Sequence, residues 1–446
     1  MQFILQTLAN RTIHKQVFWL AIPMVLSNIT VPLLGLIDAA VIGHLEHAWY
    51  LGGVALGSTM ISVTLWLLGF LRMSTTGLTA QAVGGDNAHQ LVRVLVQGLL
   101  MSLVLAVGFL LIHRLVAQVI FDWSQASDEV KHYGFQYFTV RAWSAPAALA
   151  NYVLLGWLLG TQNAKAPMWM VIITNVVNIC LDFLFVVAWD WKVEGAALAS
   201  VISDYVGTVF ALWCVILYWR KKHLPMPSAL WQQVSHGLGR FIKLNRDIFL
   251  RTLCLQLVFS FMTFRGAAMG DQTVAANAVL MSFLMFISYG MDGFAYAMEA
   301  MVGKAIGAKS AEKLKEAMIG TAFWSLVICL CLTCLFGFMG DHLVGLITDI
   351  PVVHQRAMIF LPWLVAMPLI SMWCFLLDGV FIGATKGKEM RNSMFVAALA
   401  FFIAFGATLS WGNHGLWFAM LSFMALRGLT LGVVMTLQWR RQRFLI

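Results

Sequence analysis

Twelve apolar stretches, each long enough to cross a bilayer as a helix, run through this chain of 446 residues. A hydrocarbon core of about 30 Å takes roughly 20 helical residues. The predicted spans are 16–43, 51–83, 91–120, 131–159, 167–189, 194–219, 243–269, 274–305, 314–339, 353–385, 391–411 and 415–438. Inside lipid every backbone amide must find its partner within its own segment, so runs of this kind are helices. With 61% of residues hydrophobic and only 11% charged, the predicted fold class is an all-α polytopic membrane protein embedded in a lipid bilayer.

Lysine and arginine then give the orientation, because basic loops stay on the cytoplasmic side. The two termini and the loops after even-numbered spans collect 20 of the 29 basic residues, among them Lys165, Arg220, Lys309, Lys388, Arg391 and Arg443. Loops after odd-numbered spans hold Lys131, Lys192 and Arg356 together with acids such as Asp122, Asp190 and Asp349. Both termini are therefore expected in the cytoplasm. The net charge of +9 follows from this bias and calls for no nucleic-acid partner. The first apolar run is too long for a cleavable signal and is expected to remain as span 1. All seven cysteines lie in apolar runs, where disulfide or metal readings are poor, the Cys331 and Cys334 pair included.

The chain also resembles itself. A shift of half the chain's length lays "AVGGDNAHQLV" (82–92) on "AIGAKSAEKLK" (305–315), Gly156 on Gly379 and Gly160 on Gly383. A slightly shorter shift lays "EGAALA" at 194 on "HGLWFA" at 414. Two repeats of six spans share one orientation, related by an axis along the membrane normal. The expected organisation is an N-lobe of 1–219, a basic linker of 220–242 containing Pro225 and Pro227, and a C-lobe of 243–446. Parallel six-helix halves suit a carrier rocking about a central cavity rather than a scaffold.

A charged aspartate at the centre of a membrane helix costs about 2.5 to 3.5 kcal/mol, so it faces protein or water and is a functional candidate. Asp38, Asn178, Asp182, Ser200 and Asp204 fall in one layer of the outer half, about 8 to 15 Å below the outer ends of spans 1, 5 and 6 at 1.5 Å per residue. Asn175, Asn178 and Asp182 share one face of span 5, and Ser200, Ser203, Asp204 and Gly207 one face of span 6. Asn175 and Ser203 are expected to do no more than bind helices together. Under the half-length shift Asp38 falls on Phe261, Asn178 on Phe401 and Asp182 on Phe405. The fold itself does not need the polar set.

Two carboxylates sharing a low-dielectric cavity resist double ionisation, so one of them is expected to take up and release a proton. Span 1 supplies a moving part. Pro23 and Pro32 lack the amide hydrogens that would bond the carbonyls of Trp19 and Asn28, and proline is a usual cause of kinks. We expect span 1 to alternate between straighter and more bent forms as Asp38 loses or gains its proton. In the second half Tyr289, Asp292, Tyr296 and Glu299 form a stripe on span 8, and Asp378 lies deep in span 10. These are secondary candidates for a gate, or for an ion pair with Arg72, Arg251 or Arg427.

With those residues in hand, the chain resembles the multidrug and toxic compound extrusion (MATE) family, and within it the DinF branch. The stretches that carry the resemblance are "LAIPMVLSNITVPLLGLIDAAVIGHL" (20–45), "GFLRMSTTGLTAQ" (69–81), "NVVNICLDFLF" (175–185), "EGAALAS" (194–200), "LNRDIFLR" (244–251), "DGFAYAMEA" (292–300) and "LLDGVFIGATKGKEMRNSM" (376–394). The resemblance implies two six-helix lobes in an outward-open V, exchanging extracellular cations for drugs across a bacterial inner membrane. It also implies a first-lobe cation site that maps onto Asp38, Asn178, Asp182 and Ser200. Sodium-coupled members similar to the NorM branch carry a carboxylate inside helix 7. Span 7 here has Arg251 and Arg265 and no interior acid, which favours protons.

The expected function is a proton-coupled antiporter for apolar, often cationic compounds, acting as a monomer, with no cofactor and no metal. A sodium-coupled antiporter is the alternative, since carboxylate, amide and hydroxyl oxygens suit a hard cation. A lipid-precursor flippase is the other, but it would want a cationic cavity where this layer is acidic. An enzyme is not expected: the G-x-G-D and Y-D signatures of an intramembrane aspartyl protease are absent around Asp38 and Asp182.

Overall fold

The computed structural model describes every residue except Met1, His44, Gln125, 226–233, Gln442, Arg443, Leu445 and Ile446, and leaves out the side chains of Leu36 and Ala39. Pro227 of the expected linker and the basic Arg443 thus lie outside the described residues. Among those described there is no strand. Twelve helices are long and apolar enough to cross a membrane: α1 (Arg11–Gly43), α2 (Ala48–Gly84), α3 (Ala88–Trp123), α4 (Asp128–Gly160), α5 (Lys165–Ala188), α6 (Lys192–Lys222), α7 (Leu238–Ala267), α8 (Asp271–Gly307), α9 (Ala311–Ile347), α10 (Pro351–Gly383), α11 (Gly387–Ala407) and α12 (Asn413–Arg440). Each coincides with one predicted span, and this is a multi-pass membrane protein.

Most helices outrun their apolar cores, α9 ending at Ile347 rather than 339 and α7 beginning at Leu238 rather than 243. Hydropathy marks where lipid ends, whereas a helix stops where its backbone is capped. Asn87, Ser127 and Ser310 cap α3, α4 and α9 by accepting the amides of Gln90, Val130 and Lys313. A short helix, Gln2–Ala9, precedes α1 and had no counterpart among the predicted spans.

The duplication is written in the backbone. Asp86 and Lys309, half the chain's length apart, both turn into the left-handed region with φ of 49° and 52°, as do Gln162 and Thr385 at 67° and 55°. The bonds around the first pair repeat too: Asn87 N donates to Ala82 O at 2.9 Å and Ser310 N to Ala305 O at 3.0 Å. A Cβ on Gly156 would stand 2.5 Å from the carbonyl of Arg72, and one on Gly379 2.7 Å from that of Ala295. The absence of a side chain at these positions lets α4 lie against α2, and α10 against α8, backbone to backbone.

The contacts divide the chain into two compact units, one of Leu26–Phe241 and one of Met1–Val25 with Ile242–Ile446. The second break falls inside the expected linker. The first falls inside α1, so residues 1–25 belong with the second half of the chain rather than with the N-lobe of 1–219. The cause is local packing. Ile13, Val17, Ala21 and Met24 are buried on one face of α1, where Gly320 of α9 admits Ile13 and Gly293 of α8 admits Val25. His14 Nδ1 also accepts from Trp324 Nε1 of α9 at 2.8 Å. Despite Pro23 and Pro32, α1 is one uninterrupted helix from Arg11 to Gly43.

Candidate functional site

Within the unit of Leu26–Phe241, four helices bring polar side chains together. Asp38 projects from the second half of α1, Asn178 and Asp182 from α5, Ser200 and Asp204 from α6, and Tyr137 and Arg141 from α4. The periodicity works as expected: residues four apart, such as Asn178 and Asp182 or Ser200 and Asp204, share a helix face. Asn178 and Asp182 are fully buried, with 1% and 2% of their surface exposed, and Asp38 is half-buried.

The centre is Asn178. With its amide turned so that both ends are satisfied, Nδ2 donates to Asp182 Oδ2 at 3.2 Å, and Oδ1 accepts from the backbone N and the Oγ of Ser200, both at 3.1 Å. The opposite orientation would aim the amide oxygen at a carboxylate oxygen. The carboxyl groups of Asp38 and Asp182 lie near enough for each to act on the other's ionisation, and two carboxylates so placed resist carrying both charges at once. The Oδ1 of Asp182 is buried with no hydrogen-bond partner among the described residues. Three of the five residues predicted from the sequence, Asn178, Asp182 and Ser200, are thus hydrogen-bonded into one group, with Asp38 beside it.

The fifth, Asp204, stands beside it with a partner of its own. Arg141 Nη1 donates to Asp204 Oδ2 at 2.7 Å, with 16% of each side chain exposed. Tyr137, buried one turn before Arg141 on the same helix, lies beside both groups. Sequence reasoning missed Tyr137 and gave Arg141 no role. Their signal is weak: two polar-tipped residues four apart in "YFTVR", just before a short 3₁₀ turn at Ala142–Ser144 that precedes Pro146. Also unforeseen is a π-helical stretch, Phe183–Ala188, directly after Asp182. Such turns gather at functional positions in helices.

Asn175 bonds across to another helix, whereas Ser203 bonds only within its own. Asn175 Nδ2 donates to Thr30 Oγ1 of α1 at 2.8 Å, and Ser203 Oγ donates back to the carbonyl of Ser200 at 2.9 Å. In the unit built from the second half, Asp378 Oδ2 accepts from two arginines, Arg251 of α7 and Arg427 of α12, the latter at 2.7 Å. Asp292 of α8 acts electrostatically on Arg427, and Glu299 is buried in the same helix. The ion pair expected for Asp378 is therefore present with two of the three arginines considered, while Arg72 lies in the other unit.

A family model, MatE, matches residues 23–184 and again 248–408, most of the chain and once per half. The chain belongs to the MatE family. It is 44% identical to DNA damage-inducible protein F of Escherichia coli (strain K12) over 96% of this MatE chain and 93% of that protein. A probable multidrug resistance protein NorM of Bacillus cereus is 22% identical, with 92% of each chain covered. Among solved structures, a MATE in the straight conformation and a MATE in the bent conformation each superimpose with a TM-score of 0.83 at 19% identity. They cover 97% and 100% of this chain and 96% and 98% of theirs, and establish the fold.

Proposed function

We propose that this MatE protein is a secondary multidrug efflux antiporter of a bacterial inner membrane, with both termini cytoplasmic. It exports apolar, often cationic compounds in exchange for inward protons. Asp38 and Asp182 are the proton-loading pair, and Asn178 and Ser200 hold Asp182 in place. The observation that carries this reading is the approach of Asp38 to the buried Asp182, which Asn178 holds at 3.2 Å, close enough that each acid acts on the other's ionisation. A shared proton lets two acids sit together where two charges could not. Loss of that proton leaves like charges in contact, and the strain falls on α1, which carries Asp38.

The same helix suits a switching role, since it contains Pro23 and Pro32 and the division between the two contact units falls between them, after Val25. Similarity to family members solved as straight and as bent forms supports a fold with two states. Efflux of a lipophilic cation from proteoliposomes, driven by a pH gradient in sodium-free buffer, tests the reading. Transport is expected from the wild type, with none from Asp38→Asn or Asp182→Asn. Efflux that appears only when sodium is supplied would overturn it in favour of sodium coupling.

A further inference from the structure

The acidic layer holds three carboxylates, an amide and a hydroxyl, a donor set that a hard monovalent cation could use as readily as a proton. What distinguishes the two is the room and the oxygens left over. Arg141 takes Asp204 Oδ2 at 2.7 Å. Its charge reaches Asp38 and Tyr137. The pair is held from behind, because the carbonyl of Asp204 accepts from Asn151 Nδ2 at 3.1 Å and from Thr208 Oγ1 at 2.9 Å.

We infer that Arg141 is a specificity-determining residue, a resident cation that occupies the place a sodium ion would fill and so reserves the site for protons. The inference rests on the proton-coupled reading above. A proton needs one oxygen of the Asp38–Asp182 pair and no coordination shell. A sodium ion needs several oxygens at once, and here Asp204 is already engaged by Arg141 while the hydroxyl of Ser200 is bonded to Asn178 at 3.1 Å. A fixed guanidinium beside the site also repels a second cation that keeps its full charge. The charged and titratable groups that meet here are Asp38 from α1, Tyr137, Arg141 and Tyr152 from α4, Asp182 from α5 and Asp204 from α6.

The test is drug efflux by the full chain in proteoliposomes, with pH equal on both sides and an inward sodium gradient as the only driving force. The wild type and Arg141→Lys are expected to show no sodium response. Arg141→Gln should gain one of about tenfold, a decade in apparent sodium affinity, and adding Asp182→Asn should abolish it. Removing one partner of a buried pair can itself unfold a protein, whereas replacing both is better tolerated. The double variant Arg141→Gln with Asp204→Asn therefore serves as a second route to the same gain. If the wild type is driven by protons and neither variant responds to sodium, the inference fails and the proton reading stands. If the wild type itself runs on sodium with Arg141 in place, both fail.

Discussion

Phe261 and Phe405 meet edge to face, their ring centroids 5.3 Å apart at 76°, and each lies half the chain's length after one member of the neighbouring pair Asp38 and Asp182. Phe401, the counterpart of Asn178, touches Phe261 at 5.8 Å. One packing position in a duplicated fold has thus been filled in two ways. In the second half it is a knot of aromatic rings, with the Arg265 guanidinium over Phe405 at 5.6 Å. In the first it is a group of acids and an amide, which is costly in a membrane helix unless it faces protein or water.

The aromatic knot is expected to matter for stability alone. Phe401 is fully buried, so Phe401→Ala should destabilise the fold by about 3 to 5 kcal/mol. Thermal unfolding in detergent measures this, while pH-driven efflux per folded molecule should match the wild type. A change in coupling without a change in stability would contradict the assignment.

Asn178 links the acid pair to Ser200, and a hydrogen bond to a charged buried group contributes about 1.5 to 3 kcal/mol. Asn178→Leu removes a donor that favours the ionised carboxylate, so it should tighten proton binding and hinder proton release by roughly tenfold to a hundredfold. The measurable result is a displaced pH profile of efflux, and an unmoved profile would remove Asn178 from the site. Ser200→Thr keeps the hydroxyl and should transport normally.

Asp378 neutralises Arg251 and Arg427 in surroundings where each side chain is less than a tenth exposed. Breaking such an arrangement from one side costs about 3 to 5 kcal/mol because it strands buried charge. Asp378→Asn should lower the yield of folded protein, read by size-exclusion chromatography and thermal unfolding. Folded, inactive protein of normal stability would instead assign Asp378 to transport.

The close approach of α4 to α2 and of α10 to α8 predicts a matched pair of effects. Gly156→Ala and Gly379→Ala each drive a methyl against a backbone carbonyl, at 2.5 and 2.7 Å, and overpacking of this kind costs about 1 to 3 kcal/mol. Similar drops in unfolding temperature are expected. Tolerance at either position would mean that the two helices separate more easily than they pack.

The amino-acid sequence by itself determined the twelve spans, the repeat at half the chain's length and the group of Asp38, Asn178, Asp182 and Ser200. Span length follows from bilayer thickness, and side chains three, four or seven apart must share a helix face, so both are local properties of the chain. Tertiary structure alone decided that Arg141 should pair with Asp204, 63 residues away, and that both Arg251 and Arg427 should close on Asp378. It also decided that Tyr137 would lie beside Arg141 and Ser200, and that Met1–Val25 would pack with the second half of the chain. Those outcomes depend on how far each helix is rotated and displaced against its neighbours, and periodicity along one helix fixes neither.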